Sequence, residues 1–174
     1  MVMPEFFVLW CDCELGFVAG VDGPLAPDGR LVVTDPKMIP LIGDVSDVVI
    51  ADAVHQVFFK AYQDEIPKSE LILRGGFIVS AKFYDILKAA RLGSEIVMRP
   101  AEIEIVGARK KLLGYSWIDT RVWVPEESRF PDVDFFGWSP KVGLRWVVRR
   151  ALAQQIASAK LKGVQLIPLG GGEL

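Results

Sequence analysis

Phe77-Ile78-Val79-Ser80 runs into a helical pattern and then into Ile96-Val97-Met98-Arg99-Pro100. Near the end of the chain, Trp146-Val147-Val148-Arg149 runs into a similar pattern and then into Val164-Gln165-Leu166-Ile167-Pro168. The openings lie 69 residues apart and the closing segments 68, so the copies differ by one residue at the intervening turn. A sequence that repeats itself reveals the unit from which its fold is assembled. Two copies are too few for a solenoid, and the unit reads as strand–helix–strand. In the first copy Phe83, Ile86, Leu87 and Ala90 fall on one helical face, while Lys82, Asp85, Lys88 and Arg91 point elsewhere. Ser80 can accept from the N–H groups of the first helical turn, and Gly93 ends the helix. In the second copy Leu152, Ile156 and Ala159 repeat the stripe and Gly163 follows, but Arg149 stands where the first copy has its capping serine. The expected class is α+β: a mixed sheet with two related strand–helix–strand units, about 77–100 and 146–168, packing their helices on it.

Outside the repeat, Glu5–Cys13 reads as a central apolar strand, 20–30 as a turn-rich connection and Leu31–Thr34 as a short strand. Asp44–Tyr62 carries Val54, Val57, Phe58 and Ala61 at helical spacing, although the β-branched Val48-Val49-Ile50 before them suits a strand equally. Leu71–Arg74 leads into the first unit. Ala101–Val106 alternates as a half-exposed strand, and Gly114–Val124 reads as one long strand with Tyr115, Trp117, Asp119, Arg121 and Trp123 on one face. Pro125–Pro140 reads as the longest irregular stretch, mixing acids with Phe130, Phe135, Phe136 and Trp138. The 174 residues make a single domain in which the first 70 are the less assignable part.

Composition removes several function classes. No apolar run approaches the roughly 18 residues that cross a bilayer, and the N-terminus lacks the basic start and cleavage site of a signal peptide. The expected setting is cytoplasmic, without membrane contact. Cys11 and Cys13 share a strand face, where a disulfide between them would be strained. With His55 the only histidine, they fall short of the about four N or S ligands that a soft metal takes. No metal or other cofactor is expected. Cys11, Cys13 and His55 are also the only Cys/His set for nucleophilic catalysis, with nothing nearby to lower a thiol pKa. Glu102/Glu104 and Glu126/Glu127 are acid pairs of the kind most proteins hold by chance, and the tail Gly170-Gly171-Gly172 has no helix after it to receive a phosphate. Charge is uneven: residues 1–70 carry twelve acids against four bases, whereas Phe135 to Gly172 holds no acid and six bases. The bases are sparse and no nucleic-acid motif accompanies them, so an acidic part packed beside a basic one is the favoured reading.

Three landmarks carry a resemblance. They are Phe77-Ile78-Val79-Ser80 with its helix and the strand to Pro100, the aromatic strand Tyr115–Val124 followed by Glu126-Glu127-Ser128, and Asp132-Val133-Asp134-Phe135-Phe136 followed by Trp146-Val147-Val148, a helix and Lys162 to Pro168. Together, over about residues 70–169, they are similar to bacterial immunity proteins of polymorphic toxin systems, a group long described as a domain of unknown function. The resemblance implies a non-enzymatic protein with no catalytic residues, whose partner is a cognate toxin domain neutralised by occlusion; it leaves room for a homodimer. Departures are Arg149 at the second cap, and an acid after the central strand matched only loosely by Glu126 or Glu127. Binding of that kind uses aromatic or arginine anchors and complementary charge. Candidate anchors are Trp117, Trp123, Phe136 and Trp138, although core packing is the favoured reading of Trp117 and Trp123; Asp132 and Asp134 are the steering charges and the 125–140 loop the favoured patch. Two rivals are a nucleic-acid-binding module using the basic C-terminal unit and a small cysteine-dependent enzyme.

Overall fold

The repeated segments fold alike. The computed structural model describes residues 4–11, 31–33, 48–50, 57–61, 68–72, 77–141 and 143–169. In chain order the strands are β1 (Phe6–Cys11), β2 (Leu31–Val33), β3 (Val48–Ile50), β4 (Val57–Ala61), β5 (Leu71–Ile72), β6 (Phe77–Ser80), β7 (Ile96–Ile105), β8 (Lys110–Thr120), β9 (Trp123–Pro125), β10 (Phe135–Ser139), β11 (Arg145–Arg149) and β12 (Val164–Pro168). Helix α1 (Ala81–Lys88) follows β6, and α2 (Arg150–Ser158) follows β11. This is the α+β class read from the sequence, with one five-stranded sheet for each unit. The first sheet has the order β12-β1-β11-β10-β9, the second β4-β7-β8-β6-β5, and β2 and β3 form a parallel pair.

Each unit is a strand–helix–strand crossover that straddles one antiparallel strand. In the second sheet β8 lies between β6 and β7, so that Ser116 pairs with Val79 on one side and Pro100 on the other. In the first sheet β1 lies between β11 and β12, and Phe7 pairs with Val148 and Pro168. Val148 and Pro168 are the repeat equivalents of Val79 and Pro100, so the duplication holds to the residue. The straddled strand comes from after the unit in one case and from the start of the chain in the other. Between the units α2 is one residue longer than α1 and the turn after it (159–163 against 89–95) two residues shorter, which leaves the net difference of one.

Ser80 caps α1 by accepting from the Phe83 N–H at 3.3 Å. Arg149 makes no side-chain cap on α2. The helices are tied together instead: Lys82 Nζ donates to the Ala159 carbonyl at the C-terminus of α2, 2.6 Å away, where a cation suits the helix dipole.

Alternation along the strands sorts side chains between two clusters. Leu9, Phe77, Val79, Ile118, Phe135, Trp146 and Val148 join Phe83 and Leu87 of α1 and Leu152 and Ile156 of α2 in one core that both units share. Phe77 and Trp146, equivalent in the repeat, pack on each other with ring centroids 5.1 Å apart, and Phe135 stacks on Trp146 at 4.9 Å. Burying each such ring contributes on the order of 2–3 kcal/mol. On the other side of the first sheet, Val8, Phe136, Trp138 and Val147 form a smaller cluster with Phe6, Val124, Phe130 and Val133. Gly137 allows the β9–β10 pairing, because a Cβ there would stand 2.6 Å from the Trp123 ring.

Four expectations change. Val57–Ala61 is a strand, not part of a helix over Asp44–Tyr62, and Val48–Ile50 takes the strand alternative that its β-branched run allows. Pairing of Val57–Ala61 with Ala101–Ile105 supplies a backbone ladder that local helical spacing could not reveal. The stretch read as one strand from Gly114 to Val124 breaks after Thr120, whose Oγ1 accepts from the Val122 N–H, and its two parts enter different sheets. Ile96–Pro100 and Ala101–Val106 form one strand through Pro100, with a register shift between Ala101 and Ile103. Phe135–Ser139 is a strand inside the stretch read as irregular. Cys13, His55, the connection at 20–30 and the tail Gly170-Gly171-Gly172 lie outside the described residues.

Candidate partner-binding face

The segment 126–134 between β9 and β10 lays Phe130 against the outer side of the first sheet, edge-on to Phe6 at 4.9 Å and to Trp138 at 5.6 Å, and beside Phe136 at 5.0 Å. Asp134, just before β10, is held by backbone and side chain together. Its N–H donates to the Arg91 carbonyl at 2.8 Å, its carbonyl accepts from the Arg149 N–H at 2.9 Å, and its carboxylate accepts from the Arg91 N–H at 3.1 Å. The Arg91 guanidinium reaches the same carboxylate at 3.1 Å. Glu70, just before β5, repeats this clamp. It joins the Ser80 N–H at 2.9 Å and the Lys162 carbonyl at 2.8 Å, and its carboxylate accepts from the Lys162 N–H at 2.7 Å. Each acid thus binds the cap residue of one helix to the turn after the other, a second sign of the duplication. Asp132 accepts from the Arg149 guanidinium and lies 3.7 Å from that of Arg91.

The proposed steering charges are therefore engaged within the chain. The hydrogen bond from Arg149, with its charge, holds the Asp132 carboxyl below the usual carboxylate range, and the bond from Arg91 does the same for Asp134 against some opposing burial. A carboxyl whose folded pKa lies below its unfolded value of about 3.9 stabilises the fold above that pH and loses its contribution as pH falls through the folded value. The urea midpoint should therefore drop as pH falls below about 5, and Asp134→Asn should make that drop shallower. Urea titrations followed by circular dichroism across this range check it. The Asp132 side chain is 82% exposed and that of Asp134 18%, so added salt should erode the share of Asp132 more.

The proposed anchors are mostly interior. Trp117 is 2% exposed, Phe136 2% and Trp138 8%, and Trp123 is half-buried against Trp146 at 5.1 Å. Phe136 and Trp138 belong to the outer cluster with Phe130; Trp117 lies on β8 in the other sheet. Asp132, Asp134, Phe136 and Trp138 come together around the 126–134 segment, and Trp117 stands apart from them.

Beyond Phe130 the outer face of the first sheet continues with exposed apolar side chains. Trp10, on the side of β1 that carries Phe6 and Val8, is 40% exposed, and Ile167, paired with Val8 on β12, is 45% exposed. The Arg145 guanidinium sits 5.6 Å from the centroid of the Trp10 ring, and Arg149 sits 5.4 Å from that of Phe6. Neither protein-family models nor curated proteins match this chain. Sequence reading passed over Trp10, Arg145 and Ile167. The signal was present in Arg145-Trp146-Val147-Val148-Arg149, where strand alternation puts both arginines on one face, but the segment was read for its apolar core.

Among the described residues no three His, Cys, Asp or Glu side chains gather as a metal site, and no helix is long and apolar enough to cross a membrane. Cys11 is buried on the core side of β1, and Glu102 of the acid pairs is bound to Lys111 at 2.6 Å.

Proposed function

We propose that the protein is a non-enzymatic immunity protein that binds a cognate bacterial toxin domain in the cytoplasm and neutralises it by occlusion, without a cofactor. The observation that carries this reading is that the three landmarks of the resemblance meet at one aromatic centre. Phe77 of the first landmark and Phe135 of the third lie 5.6 Å apart, both pack on Trp146, and Trp123 of the second lies 5.1 Å from Trp146. The residues that carry the resemblance therefore lie together in one core. A pre-formed sheet face with an exposed tryptophan beside an arginine is what occlusion of a partner needs, since such side chains dominate binding energy. The rivals draw less support. Cys11 is in the core, whereas a nucleophilic thiolate must be reachable. The Arg149 charge, one of those available to nucleic acid, is taken up by Asp132 and by Glu5 at 3.8 Å.

Co-expression with a cognate toxin domain, sought first in the neighbouring gene, should restore growth of the producing cell and yield a complex that survives gel filtration. Absence of a complex at micromolar concentrations discards the reading.

A further inference from the structure

The outer face of the first sheet repeats one arrangement along β11, an arginine over an aromatic ring of β1: Arg149 over Phe6 and Arg145 over Trp10. At the first step the chain completes the arrangement from its own 126–134 segment. Asp132 binds the Arg149 guanidinium, Glu5 lies near it, and Phe130 covers the Phe6 ring. At the second step none of the described residues adds either part. Among the described residues Arg145 has no carboxylate partner, its guanidinium donating only to the carbonyl of Leu144 at 3.1 Å. The apolar side chains on this part of the face, Trp10 under Arg145 and Ile167 on β12, stay exposed. The second unit brings no acid of its own there, since 135–172 contains none and Lys141 lies four residues before Arg145.

We propose that the face formed by Trp10, Arg145 and Ile167 receives an acidic segment of the toxin domain. One carboxylate of that segment sets on Arg145 and an adjacent apolar side chain on Trp10 and Ile167, as Asp132 and Phe130 do for Arg149 and Phe6. This rests on the immunity reading and names the surface and the chemistry of its partner. The 126–134 segment acts as an internal copy of the ligand: an acid two residues from an aromatic one, lying across the strands. A tryptophan with a stacked arginine makes a strong anchor, because the ring brings apolar area and the guanidinium a planar fork that fits a carboxylate.

The test uses the full chain and the purified cognate toxin domain, with affinity read by biolayer interferometry at low and high salt. Arg145→Glu should weaken binding by about 30-fold or more and Trp10→Ala by about tenfold, with Arg145→Gln between wild type and Arg145→Glu. Wild-type association should slow as salt rises, and Arg145→Glu should lose most of that dependence. Leu113→Ala, at an apolar position 68% exposed on β8, serves as control and should bind within about twofold of wild type. If wild type binds and the Trp10 and Arg145 variants bind as well as it does, this surface is wrong while the immunity reading stands. If wild type does not bind the toxin domain, both fall. Trp10→Ala converting a dimer to a monomer in sedimentation velocity would make a second copy the occupant and overturn the proposal. Salt-sensitive binding of a duplex oligonucleotide, lost in Arg145→Glu, would overturn it in favour of nucleic acid.

Discussion

Trp146→Ala should lower the free energy of unfolding by about 3–5 kcal/mol, as expected when a large buried aromatic is removed from a packed site. Trp146 is 8% exposed and touches three rings of the shared core: Phe77 at 5.1 Å, Trp123 at 5.1 Å and Phe135 at 4.9 Å with nearly parallel planes. Its loss opens a cavity between two sheets, each held by its own ladder, so neither can collapse freely into the gap. Aromatic pairs add about 0.5–1.5 kcal/mol beyond their buried area, which places this site toward the upper end of the range. Domains are commonly stable by about 5–15 kcal/mol, so the variant should be near its folding limit at 37 °C. Equilibrium denaturation in urea followed by far-ultraviolet circular dichroism checks it. A loss under about 1 kcal/mol would mean the two sheets do not share this centre.

Gly163→Ala should be nearly as damaging, for a different reason. Gly163 has φ +71°, where an L residue costs roughly 1–2 kcal/mol. The added Cβ would also meet Ser69 Oγ at 2.2 Å and Ser69 Cβ at 2.7 Å. Ser69 cannot readily give way, because it is 6% exposed and its hydroxyl donates to the Leu71 carbonyl at 2.6 Å. Strain and overpacking together should cost about 3 kcal/mol or more. Glu95, at the equivalent turn of the first unit, has φ 57° and carries a side chain, so the backbone conformation alone does not require glycine. The double variant Ser69→Gly/Gly163→Ala separates the two causes. Recovery of most of the loss assigns it to the contact with Ser69, and no recovery assigns it to the backbone.

The repeat was legible because strand and helix periodicities are local properties of the chain. Phe77–Ser80 and Trp146–Arg149 are short apolar runs leading into amphipathic patterns, and both fold as read. The partners of those units were not legible, since nothing near residue 78 says that Trp117 will lie opposite Ile78, or near 147 that Val8 will lie opposite Val147. The same limit explains Val57–Ala61. Its spacing fits a helix, and only the distant ladder with β7 makes it a strand.

The candidate site was legible in its composition and misjudged in its exposure. Aromatic residues in 125–140 look like binding anchors or like core, and sequence cannot separate the two, because burial depends on what lies across the sheet. Phe136 and Trp138 went inward under Phe130, and Asp132 and Asp134 found arginines of their own chain. Trp10, read as part of a central strand, came out exposed at one end of its face.

By itself the sequence determined the α+β class, the two related units with their helices, and the serine cap on α1, because each follows from side-chain order over a few residues. Only the tertiary structure decided that the straddled strands come from opposite ends of the repeat, that Glu70 and Asp134 clamp helix to helix, and that Arg149 but not Arg145 meets a carboxylate among the described residues. These depend on contacts between residues far apart in the chain, whose closeness is set by the closing of the shared core and is written in no single stretch.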